Sequence, residues 1–158
     1  MTKKKKSWTE KLHDNKDFPR VEKITKKMSK HWNATGTVVI PKPTEVDKLM
    51  RKVPRGKVTT INHIRKTLAK KHDATICCPI TTGIFANIAA HAAQEQKQQG
   101  KQDITPYWRT LKTGGIINPK YPGGAESQKT LLEKEGNKVI QKGKNHVVVD
   151  YEKSLAEI

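Results

Sequence analysis

Apolar residues recur at helical spacing through the middle of the chain. Within 61–68 they lie three and four positions apart, directly after Thr60, and Thr is a residue type that caps helices. This segment is therefore predicted to be a helix. Pro79 suits the first turn of a second helix, which should run to about Gln98. Two helices in this order predict a helix-turn-helix.

The chain before this pair contains a short apolar run and a further amphipathic segment. Thr37–Ile40 is apolar and is followed directly by Pro41, which predicts a brief strand. The next segment carries apolar residues on one helical face. It is predicted to be a helix that Thr44 caps and Pro54 ends.

The chain after the pair ends in a helix and two β-prone runs. The helix is predicted over Glu126–Glu135, and the runs are Lys138–Lys142 and His146–Val149. The Gly143-Lys144 step between the runs indicates a hairpin. We therefore expect residues 36–158 to form an α/β domain, a winged helix-turn-helix with a small β-sheet or hairpin.

Residues 1–35 are rich in lysine and poor in apolar side chains, and they are predicted to form a basic, helical N-terminal arm. Lys3–Lys6 is a basic run, and Ser7–Glu10 fits a capping box that opens a short helix. The spacing of apolar residues from Val21 to Met28 allows a second helix. The arm could be a solvated segment that packs a few apolar residues on the domain, or it could follow nucleic-acid phosphates.

Composition strengthens the second interpretation. The chain has 158 residues, 34% of them hydrophobic, and a formal net charge of +17. Such an excess attracts polyanions, which favours DNA as a partner over a membrane surface. No apolar run is long enough for a transmembrane helix, and no signal peptide is expected. We expect a monomer in the cytoplasm, associated with the nucleoid. The adjacent Cys77 and Cys78 are expected to be free thiols.

The second helix of the pair is unusual for a DNA-reading helix, because it contains neither Arg nor Lys between Thr81 and Ala93. If it faces a groove of DNA, its polar contacts must come from Thr81, Thr82, Asn87 and His91. The alternative is that this helix is buried in the core.

Several short motifs resemble the DNA-binding domain of alkylguanine-DNA alkyltransferases and the related alkyltransferase-like proteins. The resemblance covers about Val46 to Val139. It is carried by Val53–Thr60, Pro106–Arg109, Tyr121–Gly124, Leu131-Leu132 and Glu135-Gly136. It implies a DNA-binding domain of winged helix-turn-helix type, with repair factors as further partners.

The resemblance also implies that alkyl transfer is absent. Tyr107 stands at the position of the acceptor cysteine, and Trp108 stands at the position of the neighbouring histidine. Transfer needs a thiolate activated through a base. The chain therefore resembles the non-transferring branch and is expected to have no enzymatic activity, no cofactor and no metal. Glu135, which orients the histidine in the enzymes, is expected to bond the backbone or Arg109 instead.

The resemblance predicts a set of site residues. The predicted DNA contacts are Thr59, Thr60, Thr81, Thr82, Arg109 and Lys112. The predicted pocket for an alkylated base is Tyr107, Trp108, Tyr121 and Gly123. Ile61 stands where the family has a tyrosine that helps to rotate the target nucleotide, and Thr81 or Thr82 stands where it has an intercalating Arg. Single-stranded or distorted DNA is therefore expected to bind more readily than intact duplex.

Three alternatives remain at this point. The predicted pocket residues could fill the core, which would leave a general nucleic-acid-binding or regulatory protein without lesion specificity. Cys77 or Cys78 could serve as an unconventional alkyl acceptor. Either cysteine could instead be an inert buried side chain.

Overall fold

The computed structural model describes residues 5–158, so Lys3 and Lys4 of the predicted basic run lie outside the described residues. The helices are α1 (Trp8–Leu12), α2 (Lys26–Trp32), α3 (Pro43–Arg51), α4 (Ile61–Lys71), α5 (Pro79–Gln98) and α6 (Gly124–Lys134). The strands are β1 (Arg20–Lys23), β2 (Thr37–Ile40), β3 (Thr59–Thr60), β4 (Ile76–Cys77), β5 (Thr110–Leu111), β6 (Val139–Lys142) and β7 (Asn145–Val148). Short 3-10 turns span Tyr107–Arg109, Thr113–Gly115 and Tyr151–Ser154.

The predicted helix-turn-helix is formed by α4 and α5. The Thr60 side chain accepts a hydrogen bond from the His63 backbone N–H at 3.2 Å, which satisfies a free donor in the first turn of α4. Pro79 occupies the first turn of α5, where its missing N–H has no consequence. The predicted helix starts and the extent of α5 are confirmed. The connection between the helices also contains β4, which the sequence pattern did not predict.

A three-stranded sheet covers one side of the helices. Its central strand β2 pairs antiparallel with β1 and parallel with β4. The predicted strand is confirmed, but the predicted helix through Val21 is wrong. Val21 lies in β1 opposite Val39, and the following helix α2 begins only at Lys26. Strand pairing therefore outweighs the helical spacing of apolar residues, and the predicted arm contributes a strand to the sheet of the domain.

The helix α3 begins one residue before its predicted cap. Its first residue is Pro43, and the Glu45 side chain accepts a hydrogen bond from the Lys42 backbone N–H at 3.0 Å. Thr44 therefore lies within the helix and does not cap it. Val46 and Met50 are fully buried on the inner face, in the core cluster that α3 shares with α4 and α5.

The predicted hairpin is confirmed as β6 and β7, which pair antiparallel from Val139↔Val148 to Lys142↔Asn145. This hairpin is the wing of the fold. A second core cluster lies beneath it, and its buried members are Val58, Leu111, Ile117, Leu132, Val139 and Val148. None of the helices in residues 5–158 has the length and continuous apolar character that a bilayer-spanning segment requires.

Candidate nucleic-acid interface

The three aromatic residues of the predicted pocket pack against one another. Tyr107 is 3% exposed and Tyr121 is 2% exposed. The Tyr107 ring meets Trp108 edge to face at a centroid distance of 5.3 Å and meets Tyr121 in the same way at 5.8 Å. Burial raises the pKa of both tyrosines. The rings thus fill the space around one another. This arrangement agrees with the alternative in which the predicted pocket residues fill the core.

Arg109 is held inside the protein by two partners. Its Nε and Nη2 donate to the two carboxylate oxygens of Glu135 at 2.9 and 2.6 Å, and Nη1 donates to the Val53 carbonyl at 2.8 Å. The expected bond between Glu135 and Arg109 is confirmed. Because this fork joins the end of α6 to the segment after α3, Arg109 is not free to contact a phosphate, and that predicted role is corrected. Burial opposes ionisation of Glu135, but the bonds and charge of Arg109 hold its pKa below the usual value.

Two of the four predicted threonine contacts lie in the interior. Thr59 and Thr82 are fully buried, and the Thr82 hydroxyl donates to the Cys78 carbonyl at 2.6 Å. Their side chains therefore cannot reach a phosphate, which corrects the prediction. The Thr60 side chain is used as the cap of α4, and the Thr81 hydroxyl donates to the Cys78 sulfur at 3.1 Å. Both of these residues are only partly exposed.

Gly123, the fourth predicted pocket residue, has a backbone role. Its φ of +79° lies in the left-handed region, and it directly precedes α6. A Cβ at this position would lie 2.5 Å from the Ser127 side chain. A glycine is therefore required to turn the chain into the helix.

The two cysteines are poor candidates for an alkyl acceptor. Both are buried free thiols, and burial raises the pKa of Cys77 to about 11. A thiol with this pKa is protonated at neutral pH and is a weak nucleophile. In residues 5–158, no group of three or more His, Cys, Asp or Glu side chains is arranged to hold a metal ion.

An open groove of about 830 Å³ lies between α1, α5 and residues 112–120. We call it the α1–α5 groove. The face of α5 contributes Ile80, Gly83, Ile84, Asn87 and Ile88, and the loop contributes Lys112, Thr113, Ile116, Asn118 and Lys120. Trp8 and Lys11 of α1 complete it, with Ile61 from the start of α4. None of the four predicted pocket residues lines this groove.

The α1–α5 groove combines an apolar floor with a cationic rim. Ile80 and Ile84 are 60% and 53% exposed, which is unusual for large apolar residues on one helix face. Lys11, Lys112 and Lys120 lie along the sides. The positive charge that α5 lacks between Thr81 and Ala93 is therefore supplied by neighbouring segments, and Lys112 is the predicted DNA contact that remains exposed here.

The helix α1 is fastened to α5 by a carboxylate. Glu95 accepts hydrogen bonds from the backbone N–H groups of Trp8 and Thr9 at 3.1 and 3.2 Å and from the Thr9 hydroxyl at 2.8 Å. The Trp8 ring stacks on His91 at a centroid distance of 4.6 Å. His91 Nε2 in turn donates to the Lys120 carbonyl at 2.9 Å, because a carbonyl oxygen only accepts. His91 thus connects the three sides of the groove.

Sequence reasoning found Asn87 and His91 but missed Trp8 and Lys11 as neighbours of α5. The capping box around Ser7 gave the position of α1 in the chain, and the structure confirms it through the bond from the Glu10 N–H to Ser7 Oγ. The packing partner of α1 lies more than 80 residues away, and no local pattern indicates such a distance.

The helix pair, the hairpin wing and the small sheets define an α/β protein of winged helix-turn-helix fold. Two solved structures are similar to it over 73% of this chain and 94% of theirs, both at 20% identity. One is S. pombe ATL in complex with DNA, with a TM-score of 0.52, and this likeness shows a common fold. The other is S. pombe Atl1 in complex with damaged DNA containing O6-carboxymethylguanine, with a TM-score of 0.48. No protein-family model and no curated protein matches the chain.

Proposed function

We propose that this protein is a non-enzymatic DNA-binding protein that recognises distorted or alkylated DNA. The observation that carries the proposal is the winged helix-turn-helix fold shared with an alkyltransferase-like protein solved in complex with DNA. The formal net charge of +17 adds a long-range attraction for the phosphate backbone. DNA is therefore the expected partner, and the protein acts as a monomer in the cytoplasm.

The absence of alkyl transfer follows from the chemistry of the side chains. Tyr107 stands in the acceptor position, and its buried phenol has a raised pKa, so it offers no anionic nucleophile at neutral pH. Trp108, at the position of the base, carries an indole N–H that cannot accept a proton. Cys77 is protonated for the reason given above. The protein would therefore mark a site for repair factors and would not repair it.

DNA contact is assigned to the side of the molecule that carries the α1–α5 groove. This side presents the exposed face of α5, and Lys11, Lys112 and Lys120 lie beside it. Arg109 and the buried Thr59 and Thr82 make no contribution through their side chains. Binding that depends on such lysines should weaken steeply with added salt.

A binding titration tests the proposal. Fluorescence anisotropy with a labelled oligonucleotide should give an affinity that falls linearly with salt concentration on logarithmic axes. Replacing Lys112 and Lys120 together by Ala should reduce the slope by about 2, because each lysine pairs with one phosphate. Lys129→Ala, which removes a cation from α6 outside the groove, is the matched control. Absence of salt-dependent binding would overturn the proposal.

Specific recognition of alkylated bases is the finer part of the proposal. It is supported by the contact between Tyr107 and Tyr121, because two of the motifs that resemble the family meet there in space. The test compares an oligonucleotide containing one O6-alkylguanine with the same strand containing guanine, at matched salt. Tighter binding of the alkylated strand is expected. Equal affinity for the two strands would indicate a general nucleic-acid-binding protein without lesion specificity.

A further inference from the structure

Trp8 stands at the centre of a stacked column beside the α1–α5 groove. One face of its ring is covered by His91, with the two ring planes inclined by 23°. The Lys11 ammonium lies 4.3 Å from the Trp8 ring centroid. It must lie over the opposite face, because two rings 4.6 Å apart leave no room for an ammonium between them. The face of Trp8 opposite His91 is thus covered by the flexible side chain of Lys11, which also lines the groove.

The groove also contains a polar atom that lacks a partner. Asn87 lines the floor between Ile84 and Ile88, and its side-chain oxygen is buried with no hydrogen-bond partner among residues 5–158. Such an atom costs free energy unless a donor reaches it. A ligand with a flat apolar face would cover the isoleucines, and an N–H group at its edge would reach the Asn87 oxygen once the amide turns toward the groove.

We propose that the α1–α5 groove binds an unpaired nucleobase of a DNA strand, with Trp8 as its stacking surface. The inference rests on the DNA-binding function proposed above and adds the residue and the strand form. The base displaces the Lys11 side chain from the Trp8 face, and the freed ammonium pairs with the adjacent phosphate. Lys112 and Lys120 on the opposite side pair with the phosphates on either side of the base.

An unpaired base is favoured over intact duplex by the position of α1. The helix α1 is anchored on His91 and Glu95, in the second half of α5. It therefore covers the C-terminal part of the α5 face whose N-terminal part carries Ile84 and Asn87. A helix that enters a groove of duplex DNA needs its outer face free along the contact. In this protein only the N-terminal half of the outer face of α5 is open. Stacking on an aromatic ring suits a single strand, because every base has a π face.

The test uses the full chain and labelled oligothymidine, with the corresponding duplex in parallel. Trp8→Ala should weaken single-strand binding about tenfold. The salt slope should be unchanged, because Trp8 contacts no phosphate. Trp8→Phe keeps an aromatic face and should retain most of the affinity. Trp32→Ala is the matched control, since Trp32 is a partly exposed tryptophan of the same N-terminal region that does not line the groove.

Photocrosslinking locates the base directly and does not depend on the folding of Trp8→Ala. A strand containing 5-iodouracil should crosslink to Trp8 or to another residue of the groove, identified by mass spectrometry. Unchanged affinity of the Trp8 variants, or crosslinks confined to residues outside the groove, would overturn the inference and leave DNA binding intact. Displacement of the crosslink by an acidic amphipathic peptide but not by unlabelled oligothymidine would also overturn it. If the unaltered chain binds no DNA, it is the proposed function that fails.

Discussion

The aromatic cluster around Tyr107 and the α1–α5 groove differ in where they place their apolar surface. In the cluster, Tyr107 and Tyr121 lie edge to face with almost no exposure. In the groove, Ile80 and Ile84 are more than half exposed and Trp8 stands at one side. The motifs resembling a known family identify the first region, but only the second offers space to a ligand.

The contrast lies in whether the apolar area is covered. Around Tyr107, large aromatic side chains pack against one another and fill the available volume. Filled volume stabilises the fold, since each buried ring contributes through the apolar area that it removes from water. Exposed apolar area on α5 does not contribute to stability in this way. A patch of exposed apolar area is typical of a surface that a partner covers.

Tyr107→Ala should produce the largest effect on stability. Removing a buried aromatic side chain leaves a cavity and should lower the free energy of unfolding by about 4 kcal/mol in urea denaturation. DNA affinity of the folded fraction should change little. Ile84→Ala should give the reverse pattern, with stability changed by less than about 0.5 kcal/mol and weaker binding. Unchanged stability and abolished binding in Tyr107→Ala would show that the cluster, and not the groove, holds the ligand.

Glu135→Gln tests whether the Arg109 fork is structural. The substitution leaves a partly buried guanidinium without its anionic partner and should cost about 3 kcal/mol. Glu133→Gln, on an exposed side chain two residues away, should cost less than about 0.5 kcal/mol. DNA affinity should be equal in both variants. A loss of DNA affinity in Glu135→Gln but not in Glu133→Gln would indicate that Arg109 contacts a phosphate.

The ion pair between Arg109 and Glu135 predicts that the stability of the protein depends on pH. The pKa of Glu135 is lowered in the folded protein, so folding favours its ionised form. The stabilisation is therefore fully present above the ordinary glutamate pKa of 4.5 and is lost as the pH falls through the lowered value. The difference in stability between the unaltered protein and Glu135→Gln should shrink on acidification, as followed by urea denaturation at a series of pH values.

Local chemistry accounts for what could be predicted from the sequence. The cap at Thr60, the proline at the start of α5 and the turn at Gly143 each act within a few residues, so those elements are confirmed. Val21 was assigned to a helix because its strand partner Val39 is distant in the chain. Thr59 and Thr82 were predicted as DNA contacts from the resemblance. A threonine is compatible with the surface or the interior, so only packing decides between them.

The groove itself could not be predicted, because it depends on how three distant segments meet. The sequence of α5 carries both large apolar residues, such as Ile80 and Ile84, and small ones. The structure buries the small-residue face of α5, including Ala86, Ala89 and Ala90. Small side chains permit close approach to α3 and to the aromatic turn, and the larger isoleucines are left outside. Helical spacing identifies a face but does not say which of two apolar faces packs inward.

Glu95→Ala tests whether α1 belongs to the groove as a docked element. The carboxylate acts as the acceptor for the first N–H groups of α1, and its loss should cost about 1 kcal/mol of local stability. Faster hydrogen exchange of the α1 amides and weaker single-strand binding are expected. Gln98→Ala, on the exposed end of α5, should change neither. Protected α1 amides in Glu95→Ala would show that the Trp8–His91 stack alone holds the helix.

Acid should release α1 in the unaltered protein as well. Burial opposes ionisation of Glu95, but the hydrogen bonds from Thr9 and Trp8 lower its pKa below the usual value. Docking is therefore favoured above the ordinary glutamate pKa of 4.5 and weakens as the pH falls through the lowered value. Amide exchange of α1, corrected for its intrinsic pH dependence, measures this release.

Thr59→Val should have the smallest effect, and its sign separates a core role from a DNA contact. The Thr59 hydroxyl is fully buried and has no hydrogen-bond partner among residues 5–158, so its desolvation is not offset. Valine has nearly the same shape without the hydroxyl and should raise the free energy of unfolding by at most about 1 kcal/mol. DNA affinity should not change.

The neighbouring Thr60 supplies the matched comparison. Thr60→Val removes the cap of α4 and should lower the free energy of unfolding by about 1 kcal/mol. Two adjacent threonines, both predicted as phosphate contacts, should thus shift stability in opposite directions by the same substitution. Weaker DNA binding in Thr59→Val, without a change in stability, would mean that this segment opens when DNA binds. In that case the distinction between a filled core and an open groove would hold only for the free protein.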